Sequence, residues 1–315
     1  PNERFRFFAP YDLVMILYII VSWVIAQSLG LSINYRIALN FKHDGPFVTI
    51  MVLYAWLVVC YVAVRERVSG RDRIICGSSW WSIMRRDMFN LQVAWDVVRL
   101  VTYIKLLFVI YGNIKQAIPV LNASLLDMPL YTIDRAVSFG LDPIQVTHRL
   151  ISNELLMRAV DGLYVLWYPV MAPVLVVFLL TGNRRLRAAF FTCFFLTWIL
   201  GGLMAVAAPS LGPIYVNPER FAEVTMPNAR LLQERLWVNY QQVLANPESY
   251  KVFIYEGVAA FPSLHVAVVA LFAVFLFHVN RWAGWAMSLY TLIILLGSVM
   301  LGWHHIVDGY AGIGL

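Results

Sequence analysis

Long apolar runs recur along this chain and constrain its fold more than any other feature. A helix needs about 20 apolar residues to cross a bilayer core, and lipid leaves no alternative partner for backbone polar groups. Seven runs approach that length, and an eighth begins at His304: residues 11–30, 47–64, 100–112, 162–180, 188–208, 266–279 and 283–301. The runs predict an all-α, polytopic transmembrane helical bundle.

The composition excludes a water-soluble enzyme. Hydrophobic residues make up 61% of the 315 residues and charged residues only 13%, whereas soluble domains carry roughly 25% charged residues. The net charge of +6 could suggest nucleic acid, but the basic residues lie between the apolar runs rather than along one stripe. Cys60, Cys76 and Cys193 are scattered, so they predict neither a disulfide framework nor a metal site. We expect no nucleic-acid partner and no cofactor.

The distribution of charge predicts the orientation in the membrane. If the N-terminus is cytoplasmic, basic residues outnumber acidic ones in the inner segments, and acidic residues outnumber basic ones in the outer segments. Arginine-rich short loops face the cytoplasm, and residues 183–187 are the clearest such loop, with Arg184, Arg185 and Arg187. The pattern predicts a multi-pass protein with a cytoplasmic N-terminus.

Three segments between the spans differ from them in composition. Residues 113–160 carry apolar side chains at helical spacing, which predicts amphipathic helices on the outer surface. Residues 209–262 are rich in proline, which predicts an irregular outer cap with short helical pieces. Residues 70–98 are typical of an interfacial helix. The first two spans and this interfacial segment make up residues 1–98, ahead of the remaining apolar runs.

The first candidate for chemistry is the segment Phe261-Pro-Ser-Leu-His265, where a loop turns into a helix. Pro262 suits a helix start, and Ser263 offers a hydroxyl beside free backbone N–H groups. Such a helix end binds anions, because its donors and its dipole both favour negative charge.

The second candidate is the segment Gly302-Trp-His-His-Ile-Val-Asp308. His304 and Asp308 are four residues apart, so on a helix they share one face. A carboxylate on one ring nitrogen fixes the tautomer and leaves the other nitrogen free to attack. His305 has no carboxylate at that spacing, which favours His304 as the nucleophile. Both segments lie at outer helix ends, so they can meet.

These residues resemble the type 2 phosphatidic acid phosphatase superfamily, which includes lipid phosphate phosphatases and vanadium haloperoxidases. Pro262, Ser263 and His265 match its Pro-Ser-x-His motif, and His304 and Asp308 match its His-x-x-x-Asp motif. The resemblance implies a six-helix core with both motifs on the outer side. That core covers roughly residue 99 to the end, so the first two helices are additional.

The sequence departs from this pattern in its basic residues. The family usually has Ser-Arg shortly before its nucleophile, where this chain has Gly297 and Ser298, and it has basic residues where segment 207–213 has none. The pattern is similar to the inositol phosphorylceramide synthase branch, which transfers a phosphorylated headgroup between lipids.

Other residues must therefore supply positive charge, because phosphoryl transfer spreads charge over three oxygens. Arg158 and Arg220 are the leading candidates among the outer basic residues, which also include Arg149, Arg230, Arg235 and Lys251. Asp161, Tyr164 and His305 are further candidates for lining the substrate pocket.

Together these residues predict a lipid phosphotransferase with a phosphohistidine intermediate at the extracytoplasmic face. His304 attacks the phosphorus, Asp308 holds His304, His265 acts as acid and then base, and Ser263 helps to hold the phosphoryl oxygens. The partner is a membrane lipid, and the sequence does not predict an oligomeric state. Hydrolysis of a lipid phosphate or polyprenyl diphosphate is the alternative. A proton-coupled transporter is the alternative from another class, although transporters place such residues near mid-membrane.

Overall fold

The computed structural model describes residues 7–28, 91–181, 183–246 and 257–315. In these ranges the chain forms helices and no strand. The span predicted at 47–64 and residues 70–90 of the predicted interfacial helix lie outside the described residues. Residues 91–98 belong to a long helix.

The described helices are numbered in chain order. They are α1 (Pro10–Ser28), α2 (Leu91–Leu121), α3 (Asp127–Val137), α4 (Pro143–Leu150), α5 (Glu154–Val165), α6 (Trp167–Leu180), α7 (Arg184–Ala207), α8 (Pro213–Val216), a 3-10 helix (Pro218–Phe221), α9 (Pro227–Ala245), α10 (Leu264–Phe277), α11 (Arg281–Met300) and α12 (Ile306–Gly314).

Four of the described helices are long and apolar enough to cross a membrane: α1, α2 from Trp95 onward, α7 and α11. The pair α5 and α6 passes the same test together, although the two helices are bent by 44°. Helix α10 is apolar but has only 14 residues. The prediction of a helical membrane bundle is confirmed, and the chain is a multi-pass membrane protein.

Two helices are longer than the sequence pattern predicts. Helix α2 continues to Leu121, past the predicted end at residue 112. Its polar residues there are tolerated because Gln116 is buried and Lys115 lines an internal cavity, so neither side chain faces lipid. Within the predicted irregular cap, α9 forms 19 residues of helix. Pro227 begins α9 at a position where its missing N–H costs no hydrogen bond.

The hairpin of α10 and α11 organises the end of the chain. Asn280 caps α11 by accepting hydrogen bonds from the backbone N–H groups of Trp282 and Ala283, so α11 runs back along α10. The chain then turns at Gly302, whose φ of +76° favours glycine. A Cβ there would lie 2.8 Å from the Phe221 ring. The start of α10, the end of α11 and the start of α12 therefore meet at one end of the bundle.

Aromatic side chains on α7 form the centre of the core. Phe190, Phe191, Phe194 and Phe195 are fully buried, and the rings of Phe190 and Phe178 stack with centroids 3.9 Å apart. A buried aromatic ring contributes a large apolar area, and offset ring pairs add about 0.5–1.5 kcal/mol. The α7 side chains fix α6 and α10 against one another.

A buried charge network joins the N-terminal parts of α1, α2 and α7. Asp96 accepts from Arg99 at 2.6 Å and from Arg187 at 2.7 Å, and Arg99 also pairs with Asp12 at 2.7 Å. The network lies at the arginine-rich end of α7. The hairpin end that carries both histidine motifs is opposite, because Trp198 in the second half of α7 lines the cavity beside them.

Loss of the Asp96 charge is expected to destabilise the protein strongly. Asp96→Asn leaves Arg187 buried without its carboxylate, and breaking a buried ion pair in this way costs about 3–5 kcal/mol. The free energy of unfolding in mixed micelles measures the effect. Glu154→Gln is the matched control, because the Glu154–Arg158 pair has a similar length of 2.8 Å but is exposed and should contribute less than about 1 kcal/mol. Equal losses in the two variants would contradict this assignment.

Candidate active site

The Pro-Ser-x-His segment forms the start of α10. Ser263 is the N-cap residue, and its Oγ lies 3.5 Å from the Val266 backbone nitrogen. The Ser263 backbone N–H donates to the carbonyl oxygen of Asp308 at 2.9 Å. This bond ties the first histidine segment directly to α12, which carries the end of the second. The Ser263 side chain is fully buried, while its neighbours Pro262 and Leu264 line the cavity described below.

The two predicted histidines lie side by side. Nε2 of His304 is 3.5 Å from Nδ1 of His265, and the ring centroids are 5.7 Å apart. His304 is buried, whereas His265 is partly exposed between the rings of Tyr164 and Trp167. Trp167 also donates its indole N–H to the carbonyl oxygen of His265 at 3.1 Å, which holds the first turn of α10.

The surroundings of His304 assign its tautomer. Nδ1 lies 2.7 Å from the carbonyl oxygen of Ala260 and 3.6 Å from Oδ2 of Asp308. Since a carbonyl oxygen only accepts, Nδ1 carries a proton, and in the neutral ring the lone pair lies on Nε2, which faces His265. The closest acceptor is therefore the Ala260 carbonyl rather than the carboxylate that the spacing predicts. Asp308 lies beside the same nitrogen and accepts the His305 backbone N–H at 2.9 Å.

A cavity of about 300 Å³ opens beside the two histidines. Its wall is largely apolar and includes seven aromatic residues: Tyr111, Tyr164, Trp167, Tyr168, Trp198, Tyr215 and Trp303. Lys115 from α2 and Arg235 from α9 also line it. An apolar cavity with a few convergent polar groups is the usual form of a small-molecule site. The combination of imidazoles and cations suits an anionic group held against an apolar body.

The two arginines predicted to bind phosphate lie away from this cavity. Arg220 donates to Asp142 at 2.6 Å and stacks over the Tyr131 ring. Arg158 pairs with Glu154 on the exposed face of α5. The Arg220 guanidinium holds the pKa of Asp142 below its usual range, against the opposing effect of burial. These contacts indicate that Arg220 links the 3-10 helix to α3 and to the start of α4.

The three residues proposed to line the pocket have different positions. Tyr164 lines the cavity, with its ring 5.2 Å from that of His265. Asp161 is fully buried and caps α9, accepting hydrogen bonds from the backbone N–H groups of Asn228 and Ala229 at 2.9 and 2.8 Å. His305 points away from the cavity, and its Nδ1 lies 3.2 Å from Oδ2 of Asp134.

Lys115 and Arg235 line the cavity, although the sequence favoured Arg158 and Arg220 as the phosphate-binding residues. The sequence position of Lys115 could have identified it, because an ionisable residue inside an apolar helix is a functional-site candidate by default. Arg235 lies in a polar cap helix among several other basic residues, so nothing in the sequence separates it from them. Among the described residues, no three His, Cys, Asp or Glu side chains are grouped so as to hold a metal ion.

Comparison with known proteins agrees with this geometry. The model of the PAP2 superfamily matches residues 129–315, which include both histidine segments and most of the cavity wall. Helix α2 and its Lys115 lie outside the matched range. Neither a curated protein nor a solved structure matches the chain. Because the match covers more than half of the sequence and contains both motifs at one cavity, this membrane protein belongs to the PAP2 superfamily.

Proposed function

We propose that this chain is an integral membrane enzyme that transfers a phosphorylated group between lipids through a phosphohistidine intermediate. One observation carries the proposal: the free Nε2 of His304 faces His265 at 3.5 Å, beside a cavity lined by two cations. PAP2 membership supports phosphatase or phosphotransferase chemistry. The identity of the intermediate and of the acceptor goes beyond that support.

His304 is the proposed nucleophile. Its protonated Nδ1 is fixed by the Ala260 carbonyl, so Nε2 is the nitrogen that can attack phosphorus. The Asp308 carboxylate, 3.6 Å from Nδ1, stabilises the positive charge that develops on the ring as the N–P bond forms. A nucleophile held by a second group is the general arrangement of covalent catalysis.

His265 is the proposed acid and base. It donates a proton to the oxygen that leaves with the first lipid, and then removes a proton from the acceptor hydroxyl. The attacking nitrogen of His304 must lie about 3 Å from the phosphorus, and the nitrogen of His265 about 3 Å from the leaving oxygen. In-line transfer therefore needs these two nitrogens roughly 6 Å apart. Their present separation is 3.5 Å. Substrate binding therefore separates the rings, and the partly exposed His265 is the ring that moves.

Lys115 and Arg235 are the proposed phosphate-binding cations. Both line the cavity that contains the histidines, and they compensate for the missing basic residues at Gly297, Ser298 and segment 207–213. Their charges offset the negative charge on the transferred phosphoryl oxygens. We also propose that the chain is closest to the inositol phosphorylceramide synthase-like branch, in which the same basic residues are missing.

We place the site at the extracytoplasmic face. The cavity lies at the end of the bundle opposite Arg184, Arg185 and Arg187 of α7, and arginine-rich short segments face the cytoplasm. The substrate is a lipid, because the cavity opens within an apolar bundle and has a largely apolar wall with several aromatic residues. Such a wall limits access of water to the intermediate, which favours an acceptor alcohol over hydrolysis.

The products of a labelled lipid separate transfer from hydrolysis. The purified enzyme is given a lipid labelled at its phosphorus, with and without an added acceptor lipid. Transfer predicts a new labelled lipid that depends on the acceptor. Free labelled phosphate or headgroup phosphate under both conditions would favour the hydrolase. A lack of labelled products with phospholipids and polyprenyl diphosphates alike would contradict the proposed function.

Removal of a cavity cation is expected to reduce turnover. Lys115→Gln should lower kcat/KM by roughly 10²-fold, the typical cost of losing one donor to the transition state. Arg235→Gln should cost less, because Arg235 is exposed and its charge is screened by salt. Steady-state kinetics measure both changes. Arg281→Gln is the control, because Arg281 is exposed at the far end of α11 and contacts Trp282. Unchanged kcat/KM in Lys115→Gln would contradict its role.

A further inference from the structure

Helix α3 carries two buried carboxylates outside the cavity. Asp127 and Asp134 are seven residues apart, which is about two helical turns, so they lie on the same face. Their exposed fractions are 5% and 0%. Buried carboxylates are costly unless other groups neutralise them and donate hydrogen bonds to them, and each of these two is bonded to a different part of the site.

Asp134 caps the helix that carries Asp308. Its two oxygens accept the backbone N–H groups of Ile306 at 3.1 Å and Val307 at 2.9 Å. These N–H groups belong to the first turn of α12, which follows His304 and His305 in the chain. A carboxylate at this position satisfies donors that the helix itself leaves free. Asp134 therefore fixes the start of α12.

Asp127 holds the other side of the site through a short chain of bonds. It accepts the backbone N–H groups of Leu211 and Gly212 at 3.0 and 2.8 Å. The adjacent Ser210 accepts the Ala260 and Phe261 N–H groups, each at 2.9 Å, through its carbonyl and its hydroxyl. Ala260 is the residue whose carbonyl orients His304.

His305 lies between the two carboxylates. Its Nδ1 is 3.2 Å from Oδ2 of Asp134, and its Nε2 is 3.9 Å from Oδ1 of Asp127. A neutral ring has an N–H on one nitrogen only, whereas an imidazolium has one on each. The other charged or titratable groups around this cluster are Asp308 on α12, Tyr131 on α3, Arg220 on the 3-10 helix and Tyr240 on α9, which lies near Asp127.

We propose that His305, as an imidazolium between Asp127 and Asp134, is a positioning residue that fixes the His304 ring relative to His265. The proposal rests on the proposed function. Asp134 fixes the start of α12, and Asp127 supports the segment that carries the Ala260 carbonyl. Both of these features hold His304. Asp127 and Asp134 lie on the same helix, and the positive charge of His305 offsets the cost of burying both carboxylates. Without that charge, the two carboxylates repel one another and the His304 support loosens.

The electrostatics of His305 agree with this role. Burial by itself lowers the pKa of a histidine, but the hydrogen bond to Asp134 and the charges of Asp308, Asp134 and Asp127 outweigh it and raise the pKa of His305. A raised pKa in the folded state stabilises the protein fully below the unfolded value of about 6.5. That contribution is lost as the pH rises through the folded-state pKa. Activity should decline over the same interval.

The test combines His305→Gln with three measurements on the protein in detergent. With histidine labelled by ¹³C, the His305 resonance of the wild type should titrate above the ordinary value, and the His304 resonance should shift in His305→Gln. In kinetic assays, His305→Gln should lower kcat by about 10²-fold, the effect of a small misplacement of a reacting group, while KM stays nearly unchanged. The fall in stability as the pH rises above about 6.5 should disappear in the variant.

Three control variants isolate the cluster. Asp134→Asn keeps an oxygen acceptor for α12 but removes the negative charge, so it should lower the pKa of His305. Asp161→Asn alters a similarly buried carboxylate that caps α9 instead of α12, so the His305 titration should be unchanged. His278→Gln alters an exposed histidine at the far end of α10 and should leave kcat unchanged.

The outcomes separate failure of this proposal from failure of the proposed function. A His305 resonance that titrates at or below the ordinary value, or unchanged kcat in His305→Gln, would overturn the positioning role. If the wild type turns over no lipid phosphate, the proposed function fails instead. The His304 resonance then decides the positioning role: a shift in His305→Gln supports it, and an unshifted resonance overturns it.

Discussion

Replacement of His304 by alanine is expected to lower kcat by roughly 10⁵-fold or more, the scale seen when an enzyme loses its nucleophile. The reason is geometric: Nε2 of His304 is the free nitrogen at the cavity, because Nδ1 is bonded to the Ala260 carbonyl. His304→Asn should be equally inactive, although its amide N–H can still donate to that carbonyl. Steady-state turnover of the labelled lipid measures the loss.

The asparagine variant separates chemistry from folding. A folded but inactive His304→Asn, with unfolding temperature near that of the wild type, indicates loss of the nucleophile rather than of the structure. His278→Ala is the matched control, because that histidine is exposed and lies at the opposite end of α10. Turnover within about tenfold of the wild type in either His304 variant would eliminate His304 as the nucleophile.

Replacement of His265 by glutamine is expected to reduce turnover by about 10²–10⁴-fold for a natural lipid, the usual contribution of a general acid or base. The loss should depend on the leaving group. An alkoxide leaves only if it is protonated, whereas a nitrophenolate leaves without a proton. His265→Gln should therefore form the phosphoenzyme from a nitrophenyl phosphate ester nearly as fast as the wild type does, and fail mainly with lipid alcohols.

The leaving-group dependence is the discriminating result for His265. Single-turnover release of nitrophenolate, compared with release of a lipid alcohol, measures it in the wild type and in the variant. His304→Asn supplies the contrast, since loss of the nucleophile should abolish both reactions. Equal losses in His265→Gln for the two leaving groups would mean that His265 positions the substrate rather than transfers a proton.

The sequence predicts the helical class well, because the apolar runs record how many residues a helix needs to cross lipid. It predicts helix bounds less well. The predicted span at 162–180 is bent near Leu166, where Pro169 cannot donate to the Val165 carbonyl of the preceding turn. Helix α2 continues past its apolar run because Lys115 and Gln116 face the protein interior. Hydropathy alone does not distinguish a polar residue that faces a cavity from one that ends a span.

At the site, the sequence predicts that the two histidines meet, but it does not predict the groups that hold them in place. Spacing and topology suffice for His265 and His304, since both lie where helices end on one side. The acceptor for Nδ1 is a backbone carbonyl at Ala260, and a backbone group leaves no signature in a sequence. Arg220 and Arg158 could not be separated from Lys115 and Arg235, because only coordinates show which cations line the cavity.

Helix α3 shows that the sequence also fails to identify buried carboxylates. Its alternation of apolar and polar residues is typical of a helix on the outer surface. Asp127 and Asp134 are nevertheless buried, because each accepts backbone N–H groups from a distant segment. A sequence pattern assigns carboxylates to the solvent by default. The exceptions are those whose partners lie far away in the chain, and here those partners support the histidine pair.

The most direct test of His304 as the nucleophile is to trap the phosphorus on the enzyme. The protein is mixed with a substrate labelled at phosphorus, quenched in alkali, in which phosphohistidine survives, and digested for peptide mapping. We expect an acid-labile label on the peptide that contains His304. The label should be absent from His304→Asn and should accumulate in His265→Gln with the nitrophenyl ester. Turnover without label at His304, or label on His265 in its place, would contradict the central claim.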